Sequence, residues 1–152
     1  MGTFDWLTLQ EWIAVLRVGV GLWWLESVRH KPLRGFVKGG AMGWVESLTG
    51  EDHPVQAYAA FIRKVVLSTP RRRLANSWLV VLGELAVGLS LVLGFLTPVG
   101  LAVGLFLNIN YLILVGLRDQ GEQGQNLMMI LAEVVLLGAA AWRVWALDNV
   151  LF

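Results

Sequence analysis

The chain of 152 residues contains no cysteine. That excludes disulfides, thiolate-held metal clusters and a cysteine nucleophile within it. Charge is scarce too. Charged side chains make up 15% of the residues, against about 25% in an ordinary soluble domain, which is too few to cover a water-facing surface. There are two histidines, His30 and His53. Both fall in one polar stretch, so a bis-histidine haem in the apolar part is excluded. No glycine-rich phosphate loop, dinucleotide fingerprint or Ser/His/Asp set occurs, and no metal-ligand cluster or internal repeat stands out. A net charge of +1 gives no reason to expect a nucleic-acid partner.

Apolar residues are what the chain has in excess: 57% are hydrophobic, eight are tryptophan, and the mean hydropathy is +0.65. They lie in long runs of the kind that crosses a bilayer. Trp78–Leu96 is interrupted only by Glu84, and Pro98–Leu117 carries no charge. Leu127–Ala141 carries Glu133, while Ile13–Val28 contains Arg17 and Glu26. We therefore expect an all-α, integral membrane four-helix antiparallel bundle forming a single domain over 1–152, with spans at about 12–29, 76–96, 98–117 and 126–145. The start is acidic (Asp5, Glu11), and the first run ends in Glu-Ser-Val-Arg-His-Lys. Neither suits a cleaved signal.

Nine of the twelve Lys and Arg lie between the first two spans, several of them close to span ends (Arg29, Lys31, Arg71–Arg73), and Arg118 lies between the last two. By the positive-inside rule both loops face the cytoplasm and the termini face outward, as in a multi-pass protein of a prokaryotic plasma membrane. Within the long loop, Val55, Tyr58, Ala59, Ile62 and Val66 recur at helical spacing opposite Gln56, Arg63 and Lys64. This predicts an amphipathic helix at about 54–68, either lying in the membrane interface or packed on the bundle end. Gly35–Leu48, glycine-rich and apolar, reads as a short dipping segment.

The buried polar residues are the candidate site. Measured from the inner end of its own span, at about 1.5 Å per residue, Glu84 lies about 15 Å deep, Glu133 and Asn110 about 12–13 Å and Arg17 about 18 Å. An unpaired charge at such depth costs at least about 2.5–3.5 kcal/mol. The expectation is therefore a cluster of Arg17 with Glu84 and Glu133, serving as an ionic lock or as a site for binding and proton transfer. Small residues accompany these side chains at helical spacing, with Gly21 and Trp24 beside Arg17 and Gly88 beside Glu84. Gly100-x-x-x-Gly104 shares a face with Asn108, with Tyr111 beside it, and is a small-residue packing motif. Asn108 and Asn110 point about 200° apart on a helix, so at most one joins the cluster.

In the same residues the chain resembles the DoxX/DoxD family of small four-span membrane proteins. The resemblance begins with "VLRVGVGLWWLESVRHK" and continues through "HPVQAYAAFIRKVV" and "LGELAVGLSLVLGFLTPVGL". It closes with "NINYLILVG" and "WRVWALDNVL", covering nearly the whole length. Ala141-Trp142 stands where the family pattern has Gly before Arg143. The resemblance implies a membrane subunit of a thiosulfate:quinone type of oxidoreductase, beside other protein subunits, with quinone and no haem, flavin or metal. Arg17, Glu84 and Glu133 would then be catalytic, and Trp24, Asn108, Asn110 and Tyr111 would bind the quinone. The alternative is a non-catalytic subunit that anchors or stabilises a larger respiratory or photosynthetic membrane complex. A transporter is less well supported, since no inverted repeat or broken span is visible.

Overall fold

The fold is taken from a computed structural model that describes residues 6–151; Asp5, part of the acidic start, lies outside them. Among the described residues there are helices and no strand. The first long helix, α1 (Leu9–Arg29), opens with a capping box. Thr8 Oγ1 accepts from the Glu11 N–H and Glu11 accepts from the Thr8 N–H, which satisfies two otherwise orphaned donors. α5 (Pro70–Leu93) starts on Thr69 with proline at its first position and ends on Gly94 at φ 65. That is the left-handed cap glycine supplies without steric cost. α6 (Thr97–Tyr111) runs on through a π-helical turn, Leu112–Gly116. α7 (Gln120–Gly138) is capped by Asp119, which accepts from the Glu122 N–H.

These four long helices pack in a ring, each antiparallel to its neighbours. Two of them, α5 and α6 with its π-turn, are long and apolar enough to cross a membrane. Glycines set the approach between neighbouring helices of the ring. A Cβ on Gly21 would lie 2.8 Å from the Val92 nitrogen, and one on Gly88 would lie 2.6 Å from the Leu25 side chain. A Cβ on Gly100 would meet Ser90 Oγ at 2.3 Å. The predicted packing stripe, Gly100 and Gly104, does face neighbouring helices.

These contacts also show how far α1 is displaced along α5. Ser27 and Lys31 stand opposite Glu84, so α1 ends about 20 Å above the start of α5 at 1.5 Å per residue. Short elements fill the space below it. α2 (Leu33–Gly35) runs into a π-helical turn, Phe36–Gly40, and then α3 (Ala41–Leu48); α4 (Gln56–Phe61) runs into a second π-turn, Ile62–Val66. The amphipathic helix expected at 54–68 is thus present as α4 and its π-turn. Ala41, Met42, Ile62 and Leu67 bury their side chains together as a second small core. Basic side chains tie this layer to the bundle. Arg73 pairs with Glu46 through two 2.7 Å bonds. Arg118 binds Asp52 and the Leu48 carbonyl, while within the layer Arg63 binds the Thr49 carbonyl.

The opposite end departs from expectation. α7 stops at Gly138 and does not continue to 145, because Ala140 turns into the left-handed region at φ 51. Residues 139–147 fold back across the bundle and lead into α8 (Asp148–Leu151). Leu96 and Trp145 are left-handed as well, at φ 51 and 49. Such backbone costs of order 1–3 kcal/mol for a residue with a side chain, so something must hold this end.

Candidate functional site

Arg17 is part of what holds it. The guanidinium is fully buried and donates to the carbonyls of Ala141 at 2.8 Å, Val144 at 3.3 Å and Trp145 at 2.5 Å. Asp148 supplies the second tie. Its carboxylate accepts from the N–H groups of Leu96 at 2.6 Å and Thr97 at 2.8 Å. It thereby caps the start of α6, which has no side-chain cap of its own. Burial alone would raise the Asp148 carboxyl, but the bonds from Thr97 and Leu96 and the nearby Arg17 charge more than reverse this and hold it below the usual range. The expected meeting of Arg17 with Glu84 does not occur. The depth comparison assumed helix ends flush at the inner side, whereas the stagger of α1 lifts Arg17 to the level of Gly94.

Glu84 has a different cation. Its Oε2 pairs with Lys31 Nζ and lies 3.4 Å from the Ser27 hydroxyl, while Oε1 accepts from the Tyr111 hydroxyl at 2.7 Å. Lys31 also donates to Ser27 Oγ at 2.9 Å and sits 5.6 Å from the centre of the Phe36 ring. The Glu84 side chain is 2% exposed and that of Lys31 17%. The lysine stem thus reaches inward from a helix end to neutralise a carboxylate that burial would otherwise penalise heavily.

Glu133 stands apart from this pair. It is fully buried and accepts one bond on each oxygen, from Trp24 Nε1 and from Asn108 Nδ2, both at 3.0 Å. Gly104 makes room for it, since a Cβ there would fall 2.4 Å from Glu133 Oε1. The charge-sharing trio expected from the sequence is therefore three separate arrangements. Arg17 holds the upper end, Glu84 pairs with Lys31, and Glu133 fixes Trp24 and Asn108.

A cavity of about 620 Å³ lies between the lower half of the bundle and the α3–α4 layer. Trp24, Glu84, Asn108, Asn110 and Tyr111 all line it, whereas Arg17 and Glu133 do not. Five of the seven side chains singled out from the sequence thus converge on one space. Lys31, Ser27 and Tyr58 also line it, and sequence reasoning passed over them. Tyr58 donates to Asn110 Oδ1 at 3.2 Å, and its burial pushes the hydroxyl up to about 12, so it remains a donor at neutral pH. The remaining wall is largely apolar or aromatic, including Phe36, Met42, Trp44, Phe61 and Phe106. Among the described residues no group of three His, Asp or Glu side chains converges as a metal site.

Compared with known proteins, the chain matches no family model, no curated protein and no solved structure. At about 620 Å³ the cavity falls within the usual range of small-molecule pockets, about 300–1,000 Å³. It offers apolar and aromatic walls and a corner in which one carboxylate binds an ammonium and a phenol, with further polar side chains, among them Asn76, Glu122, Gln125 and Asn126, elsewhere in its lining.

Proposed function

We propose that all four long helices cross a prokaryotic inner membrane, as in the DoxX/DoxD proteins the sequence resembles, and that the cavity binds a quinone. The chain would then serve as the membrane subunit of a quinone-linked oxidoreductase. The observation that carries this reading is the Lys31–Glu84–Tyr111 corner opening into an apolar, aromatic-walled space. A quinone ring is flat and apolar and presents two carbonyl acceptors. On turning away from Glu84, Lys31 and Tyr111 can donate to such an acceptor, and the carboxylate so freed can take up or release a proton. A bound quinone supplies the redox chemistry. The electron donor, and thiosulfate as its source, would come through a partner subunit.

The test is bound quinone in protein extracted from membranes with mild detergent. Quinone should co-purify with the wild type and fall sharply in Glu84→Gln and Tyr111→Phe. Arg17→Met should retain it, because Arg17 lies away from the cavity. One observation favours the non-catalytic anchoring role instead: Glu84 is already satisfied within the chain by Lys31, Tyr111 and Ser27. A wild-type protein that carries no quinone and takes none up from solution would decide for that role.

A further inference from the structure

The outward face of α1 carries a pattern that a lipid surface does not explain. Trp12, Leu16, Gly19, Trp23, Glu26 and His30 are all exposed and follow one another at alternating steps of four and three. That is the heptad spacing of a helix seam meeting a second helix. Midway along it, a Cβ built on Gly19 has nothing within 4 Å, which leaves a site for close approach. A shallow groove of about 420 Å³ runs here, bounded by Gly19, Leu22 and Trp23 on its apolar side and by Glu26 and Arg29 on its charged side.

The lower part of the seam is ionic. Arg29 donates twice to Glu26, at 2.5 and 2.6 Å, and His30 lies 3.3 Å from the same carboxylate. Side-chain exposures are 49% for Glu26, 69% for Arg29 and 66% for His30. Ser27, the next residue, touches Glu84, which stands about 9 Å from the Trp78 end and about 18 Å from the Leu96 end of the apolar run on α5. In a bilayer Glu26 would therefore lie inside the apolar layer, where a charge that faces lipid is costly.

We propose that this seam of α1 is the contact between two copies of the chain, related by a twofold axis along the bundle. The charge pattern selects a second copy. Each chain brings both an acid and a base, so Glu26 of one copy meets Arg29 of the partner subunit and the reverse. The two internal pairs join into a closed ring of alternating charge that is shielded from lipid. The proposal rests on the membrane-spanning reading given above.

The chain has no cysteine, so single cysteines report contacts cleanly. In native membranes, Leu16→Cys and Gly19→Cys should form disulfide-linked dimers under mild oxidant. Met128→Cys, on the exposed face of α7, should not. A second arm uses Glu26→Arg and Arg29→Glu chains, each of which sets like charges against itself. Each should be monomeric alone, and together they should restore the dimer, because the mixed pair regains both attractions. Equal cross-linking at Met128 and Gly19, or no gain on mixing, overturns the proposal. A carbonate wash separates the two levels of failure. A chain released by carbonate overturns the membrane reading and this proposal with it, whereas a chain that stays in the membrane but counts as a monomer in nanodiscs overturns this proposal alone.

Discussion

Glu84 is held by three donors, an ammonium, a phenol and a serine hydroxyl, all from neighbouring elements. Removing Lys31 alone leaves a buried carboxylate without its cation, which typically costs about 3–5 kcal/mol, while removing both charges together often costs little. Lys31→Met should therefore lower the detergent unfolding midpoint markedly, and Lys31→Met with Glu84→Gln should recover most of the loss. If the single variant unfolds like the wild type, the pair does not secure the fold. The sequence pointed to Glu84, Trp24, Asn108, Asn110 and Tyr111 through burial and helical face, which depend on each helix alone. It could not point to Lys31, because a lysine at a helix end reads as an interface anchor unless the stagger between two helices is known. One signal was available. Setting the two close-packed glycines, Gly21 and Gly88, against each other in place of the helix ends puts Glu84 near the end of α1 and away from Arg17.

At the scale of elements, the number and order of the long helices followed from the apolar runs, and the loop helix from the helical spacing of Val55, Tyr58, Ala59, Ile62 and Val66. The end of α7 did not. The apolar run continues through Ala141 and hides the left-handed turn at Ala140, which only long-range partners stabilise. Those partners are Arg17 and Asp148. Asp148→Ala would leave the first N–H groups of α6 unpaired, at about 1–3 kcal/mol for a buried donor. Hydrogen exchange should then quicken across residues 139–151 while the α1–α5 contact stays protected. Acid should act in the same direction. The carboxyl titrates lower in the folded chain than in the unfolded one, so its contribution is present at neutral pH and is lost as the pH falls through the folded value. Asp148→Asn should flatten this acid limb of the stability profile. An unchanged limb would mean that the carboxylate is not what caps α6.

At the scale of the whole molecule, polarity follows from where the cations sit. Arg71 and Arg72 are exposed at the start of α5, and Lys64 on the adjoining π-turn is exposed as well. Arg118 lies at the same end, joined to the Leu48 carbonyl. The opposite end exposes Arg143 but buries Arg17. A chain threaded through a bacterial inner membrane leaves its Lys- and Arg-rich end in the cytoplasm. The α3–α4 layer, and with it the open side of the cavity, would then face inward, where protons and a soluble partner are at hand. Ser68 and Asn149 are exposed at the two ends and serve as reporters in a cysteine-free chain. On intact cells an impermeant thiol reagent should label Asn149→Cys and leave Ser68→Cys unlabelled until the membrane is opened. The reverse pattern would put the cavity's open side on the outer face. Labelling of both on intact cells would mean that the bundle does not separate two compartments.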